Sequence, residues 1–124
     1  MNLTRATASA VLALRVSYGV ALIATPGRLA QRWLGEAAGD APVQVPLRGL
    51  GTREAVLHTG ALIAVRRRTA LRPWLAASIA GDLTDVIATA AGRRRLPAGS
   101  LLATLAVGGG SALVSLLVAA AVDA

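Results

Sequence analysis

Four long apolar runs alternate with short polar segments along this 124-residue chain, at 3–24, 47–65, 73–91 and 100–122. Each is close to the roughly 20 residues that carry a helix across a hydrocarbon core. The pattern predicts an all-α integral membrane four-helix bundle, with 1–124 as a single multi-pass domain of the cell membrane. Between the first two runs, TPGRLAQRWLGE predicts a short interfacial helix over 26–35. Thr25 is placed to cap it, Pro26 suits a first helical position and Gly35 suits a stop. Leu29 and Trp33 would share one side and Arg28 and Arg32 the other, as in helices that lie in a headgroup layer. Gly39, Asp40, Pro42 and Pro46 then predict an irregular loop. Pro73 and Trp74 open the third run as a helix start at an interface would. In the fourth, Gly108 and Ala112 form a small-xxx-small pair suited to close helix contact, and Gly108, Gly109 and Gly110 in succession predict a kink. No longer repeat is present.

The first run is read as a retained span. Arg5 precedes it, as in a signal peptide, but Ala21 and Ala24 are one residue too far apart for a cleavage site. Arg15, Ser17 and Tyr18 also interrupt the apolar region. Asn2-Leu3-Thr4 matches a glycosylation sequon, a three-residue pattern of low specificity.

Composition supports lipid over a soluble core. Hydrophobic residues make up 55% of the chain, yet aromatics only 2%, and Phe is absent. Ala, Leu and Val dominate, which suits helices packed through small side chains. The net charge of +7 comes with thirteen basic residues, all arginine. Seven of these lie in two clusters, Arg66–Arg68 with Arg72 and Arg93–Arg95. Both clusters sit between apolar runs, where they would meet anionic membrane lipids. No aromatics interleave with them to stack bases, so nucleic acid is not the expected partner. With no cysteine, disulfides, thiolate metal sites and Cys nucleophiles are excluded. Four spans put five loop arginines on each side, Arg5 with the 66–72 group against Arg28, Arg32 and Arg93–Arg95. Such a tie gives no orientation by the positive-inside rule. It would suit dual insertion as an antiparallel homodimer, or an orientation set by other signals.

Ionisable residues inside these runs carry the candidate chemistry, because charge at membrane depth is costly and turns toward a bundle interior. The second run holds Arg48, Arg53, Glu54 and His58, with Glu54 and His58 on one helical face. The third holds Asp82 and Asp85, three apart, with Ser78 one turn earlier; the first holds Arg15 and Tyr18. Counted from the loops, all fall in one leaflet half, with Arg15, His58 and Asp82 about one turn deeper, ~5 Å. Arg15, Arg48 and Arg53 then oppose Glu54, Asp82 and Asp85, three against three. Unpaired, each would cost roughly 2.5–3.5 kcal/mol at mid-helix.

Three uses fit this set. It can fix helix register through ion pairs alone. It can line a cavity with acid/base capacity, Glu54 or Asp85 as acid or base, His58 as relay with Asp82 beside it, and Tyr18 with Arg53, Arg15 and Arg48 orienting a substrate oxygen. Glu54, His58, Asp82 and Asp85 could also ligate a metal, but three arginines repel a cation, so no metal and no other cofactor is expected. Gly49-Leu50-Gly51 lacks the third glycine and the preceding strand of a dinucleotide fingerprint, and the glycines are read as close-packing positions. No Ser/His/Asp triad has the elbow context of a hydrolase.

The stretches RGLGTREAVLHTGAL and AGDLTDVIATAAGRRRLP resemble small four-span actinobacterial membrane proteins of unknown function, the DUF4267 type, and are loosely similar to DoxX-type proteins. The shared pattern falls on Arg48, Leu50, Gly51, Arg53 and Glu54, then Asp82 and Asp85. The resemblance implies four helices in a membrane and no defined activity. The leading expectation is therefore a lipophilic small molecule bound in an intramembrane polar pocket, with isomerisation, cyclisation or epoxide opening as the reactions proton transfer would permit. A small proton-coupled transporter using Glu54 or Asp82 is the alternative, and an accessory subunit with purely structural ion pairs the third.

Overall fold

The computed structural model describes residues 3–122; Asn2, and with it the glycosylation sequon, lies outside them. Among the described residues the structure is helical and contains no strand. Helix α1 runs Leu3–Ala24, α2 Pro26–Leu34, α3 Ala41–Arg67 and α4 Arg72–Gly92. The last long run, Ser100–Val122, is built from α5 (Ser100–Thr104), a π-helical turn Leu105–Gly109, and α6 (Gly110–Val122). The glycines predicted to kink this run thus produce one wide i→i+5 turn. Three helices, Leu3–Ala24, Arg72–Arg95 and Ser100–Val122, are long and apolar enough to cross a membrane. α3 is the longest at 27 residues, about 40 Å by helix rise, but its charged residues dilute its apolar character.

Each long helix turns one narrow stripe inward, spaced alternately three and four residues apart. In α3 the stripe is Leu47, Gly51, Glu54, His58, Ala61 and Val65, all buried. In α4 it is Leu75, Ser78, Asp82 and Thr89, with half-buried Asp85 completing the spacing. In α1 it is Ala8, Leu12, Gly19 and Leu22, with Arg15 in register, and in the last run Gly108, Ala112 and Ser115. The ionisable residues therefore stand where a helix bundle normally places leucine.

The outward faces are apolar. Leu102 is 73% exposed, Leu14 71% and Ile87 68%, whereas Glu54 is 5% exposed, Asp82 4% and His58 0%. At mid-helix, large apolar side chains are thus exposed while Glu54, His58 and Asp82 are buried, although most of the chain's arginines lie outside. Buried apolar residues form two clusters, Leu12, Ala61, Ala64, Val65, Leu71 and Leu75 toward one end and Ala30, Ala38 and Leu47 toward the other. The charged positions lie between them.

α1 packs most extensively on α3, α3 on α4 and α4 on α6, while α6 returns only sparingly to α1. The α1–α3 contact is close because glycine faces glycine. A Cβ on Gly19 would lie 2.7 Å from the Gly51 carbonyl oxygen, and one on Gly51 would lie 2.7 Å from that of Gly19. Gly108 permits a similar approach of the π turn to the Asp82 carbonyl, at 3.2 Å. Gly49 faces open space, so the close-packing role expected of both glycines belongs to Gly51 alone.

The segment around Gly39–Pro46 is not the expected loop. A 3-10 turn over Gly35–Gly39 leads directly into α3. The Asp40 carbonyl accepts from the N–H groups of Val43 and Gln44, both at 3.0 Å, and Pro42 sits in the first turn, where no N–H is needed. Pro46 removes one rung from the second turn without ending the helix. Thr25 does not cap α2; its hydroxyl donates back to the Ala21 carbonyl at 2.9 Å. At the far end, Arg5 Nη1 donates to the Val65 carbonyl at 2.9 Å, satisfying a group in the last turns of α3.

Gly51→Ala should lower thermal stability in mild detergent by about 1–3 kcal/mol, the usual cost of overpacking against backbone. Gly49→Ala should leave it unchanged or raise it by about 0.5–1 kcal/mol through helix propensity. Equal effects at the two positions would contradict the helix crossing described.

Candidate functional site

Arg15 is the centre of the buried polar set. Its Nη1 and Nη2 donate to Asp82 Oδ2 and Oδ1 at 3.1 and 2.9 Å, a two-pronged pairing that fits the planar guanidinium. Nη2 also donates to Glu54 Oε2 at 2.9 Å, and Nη1 reaches Ser115 Oγ at 3.4 Å. One side chain of α1 thus touches α3, α4 and α6. Its stem crosses the interior because the α1 stripe points it there.

Arg53 sits one position off the α3 stripe, and its Nη2 lies between two carboxylates without bonding either closely. It is 3.7 Å from Glu54 Oε1 and 3.5 Å from Asp85 Oδ2. Its Nε and Nη2 are buried with no hydrogen-bond partner. The guanidinium passes over Gly81 of α4, where a Cβ would fall 2.9 Å from its central carbon. Asp85 is the least constrained of the three interior acids. Its nearest charged partner is that Arg53 nitrogen at 3.5 Å, and its side chain keeps 27% exposure.

His58 is enclosed. Nδ1 donates to the Glu54 carbonyl at 2.6 Å, and Nε2 lies 2.8 Å from Ser78 Oγ, whose hydroxyl can donate to it. That tautomer satisfies both nitrogens with the ring neutral, an assignment made from the bonding partners. The imidazole also touches Glu54 Oε2 at 3.5 Å. His58 therefore braces Glu54 from behind.

In front of the charged set lies a chamber of about 580 Å³. Its inner wall is Arg15, Glu54, Asp82 and Asp85, with Tyr18 beside them. Leu14 on α1 and Ala103, Val107 and Ser111 on the last run complete its wall, beside the seam where α1 and α6 pack sparingly. One end is covered by α2 through Leu29, Arg32 and Trp33. Trp33 holds α2 there: Nε1 donates to Thr89 Oγ1 at 2.8 Å, and its carbonyl accepts from Ser100 Oγ at 2.7 Å. α2 is thus stitched to α4 and α5. A second hollow of about 450 Å³ lies between α2 and α3, and Arg53 and Asp85 line it.

Of the eight residues singled out in the sequence, the structure brings together Arg15, Tyr18, Arg53, Glu54, Asp82 and Asp85. His58 belongs to the cluster but not to the chamber wall, because both ring nitrogens are engaged behind Glu54. Arg48 does not join. It is exposed, one position beyond the inward Leu47, and makes no ion pair among the described residues. The sequence reading missed Arg32, Trp33 and Ser115. Ser115 falls on the Gly108–Ala112 stripe and was findable there; Arg32 was assigned to the side opposite Leu29 and Trp33, whereas all three line the chamber.

Removing Arg15 leaves two buried carboxylates without their main partner. Arg15→Gln should cost about 3–5 kcal/mol, the usual price of an uncompensated buried charge, read as a fall in melting temperature in detergent. Arg48→Gln should stay within about 0.5 kcal/mol of the parent. The reverse order would refute the placement of these two arginines.

No protein-family model, curated protein or solved structure matches this chain, so the arrangement of Arg15, Arg53, Glu54, Asp82 and Asp85 around the chamber stands on its own geometry.

Proposed function

We propose that this chain is a four-span bundle of the cell membrane that binds a lipophilic small molecule in the chamber beside Arg15, Glu54, Asp82 and Asp85. The observation that carries the reading is the exposed leucine, isoleucine and valine at mid-helix around the buried Glu54, His58 and Asp82, with a chamber of about 580 Å³ beside them. Its volume falls within the usual range for small-molecule sites. Hydrocarbon around such a surface is favourable, and a side opening meets the acyl chains directly, so a guest dissolved in lipid need not cross water. α3 serves as the remaining span despite its charge, because Glu54 and His58 face its neighbours. Kinship with the four-span proteins of the DUF4267 type belongs to this proposal and rests on the motif from Arg48 to Glu54 and on Asp82 and Asp85.

If chemistry follows binding, Asp85 and Tyr18 are the groups positioned for it. Asp85 is loosely paired, and the Tyr18 hydroxyl makes no hydrogen bond among the described residues. Glu54 and Asp82 are held by Arg15, and His58 supports Glu54 without reaching the chamber. A small proton-coupled transporter is the second reading, favoured by the five-to-five split of loop arginines.

Gentle extraction followed by native mass spectrometry should show a lipophilic mass bound to the protein. Ala103→Trp, which puts an indole into the chamber opening, should reduce that occupancy about tenfold or more, equivalent to ~1.4 kcal/mol, with little change in melting temperature. Occupancy unaffected by this substitution would place the guest elsewhere and end the proposal. Tags on both termini separate the second reading: mixed orientation supports transport, and a single orientation counts against it.

A further inference from the structure

The interior charges do not cancel. With every acid taken as ionised, Arg15 and Arg53 supply two positive charges against three negative ones from Glu54, Asp82 and Asp85. The neutral His58 tautomer meets both of its partners, so it adds nothing. Arg48, which would have evened the count, lies on the outside of α3. Arg32 also lines the chamber, from the α2 cover, but the residue is exposed, so its charge is screened by solvent.

The uncompensated negative charge has a definite place. Arg15 binds both oxygens of Asp82 and one of Glu54 at hydrogen-bond distance. Asp85 has only Arg53 at 3.5 Å, and Arg53 is shared with Glu54. Asp85 thus has one distant, shared donor, and it lines the chamber. An ionised carboxylate in apolar surroundings gains strongly from one charged donor.

Resting on the chamber reading above, we infer that the guest is a lipophilic ammonium, an apolar body with one positively charged N–H head that bonds the Asp85 carboxylate. Such a molecule supplies both things the site lacks, a hydrogen-bond donor for Asp85 and one positive charge. The remaining walls, Leu14, Val107 and the outer rim of α1 and α5, take its hydrocarbon. A carboxylate-bearing amphiphile would add a second uncompensated negative charge at the same point. A neutral alcohol would bond Asp85 without correcting the charge.

Three probes of one chain length separate these cases: dodecylammonium, dodecanol and dodecanoate. The protein is reconstituted in phosphatidylcholine nanodiscs with Trp74→Phe, leaving Trp33 at the chamber as the reporter. Trp74 lies on α4 against Gly60, away from the chamber. Dodecylammonium should give a saturable Trp33 response at about tenfold lower concentration than dodecanol, and dodecanoate none. Asp85→Asn in the same bilayer should bring the ammonium to within about twofold of the alcohol, which also controls for partitioning into lipid. Arg53→Gln should widen the preference for the ammonium, and it decides the matter if Asp85→Asn does not fold. Equal responses to ammonium and alcohol, both abolished by Ala103→Trp, would overturn the charge inference and leave the chamber reading standing. A narrowed preference in Arg53→Gln would overturn it as well. If no probe gives a response that Ala103→Trp abolishes, the chamber reading fails and this inference with it.

Discussion

The whole arrangement depends on the guanidinium of Arg15. From α1 it reaches α3, α4 and α6, and it does so through charged or hydroxyl partners on each. Buried between helices, Arg15, Glu54 and Asp82 meet little solvent, so their burial is offset chiefly by one another. Because a guanidinium has its donors in a fixed plane, two carboxylates and a hydroxyl can meet it only when three helices stand in one relative register. The interaction that pairs Glu54 and Asp82 with Arg15 therefore also sets how the helices are aligned. The apolar clusters at either end are less selective, since leucine against alanine tolerates small slides that a bidentate ion pair does not.

Much of this was legible in the chain. The four apolar runs map onto α1, α3, α4 and the Ser100–Val122 run, with the first and last at the expected bounds. The convergence of residues from separate helices followed from counting depth along each run, and it places Arg15, Glu54 and Asp82 in direct contact. What the sequence could not supply was direction around each helix. Depth alone counted Arg48 as an interior charge, because it lies in an apolar run beside Leu47. The 3–4 spacing from Leu47 through Gly51 and Glu54 to His58 excludes it, since Arg48 is about 100° away from Leu47 on the helix.

The misread loop has a different origin. Gly39, Asp40, Pro42 and Pro46 carry strong local turn preferences, and each preference is real. They were outweighed because Pro42 falls in a first turn and because Leu47 and Val43 have an apolar surface to cover, beside Ala30, Ala38 and Trp33. Likewise α2 has the pattern of a helix lying loose on a surface, yet Trp33 fastens it to Thr89 and Ser100. That attachment is a tertiary fact with no trace in the periodicity of nine residues. It matters to the site, because it holds α2 over one end of the chamber as a fixed cover.

The glycine crossing of α1 on α3 has a mechanical corollary. With two backbones in contact at Gly19 and Gly51, these helices have little room to move against each other. Compliance must then reside elsewhere, and the π turn at Leu105–Gly109 followed by Gly110 supplies it, directly beside the sparsely packed seam. Any breathing of the helices is thus directed to one flank, an elbow in the last run against a closely packed pair, so the same elbow would set how readily the chamber beside it changes size.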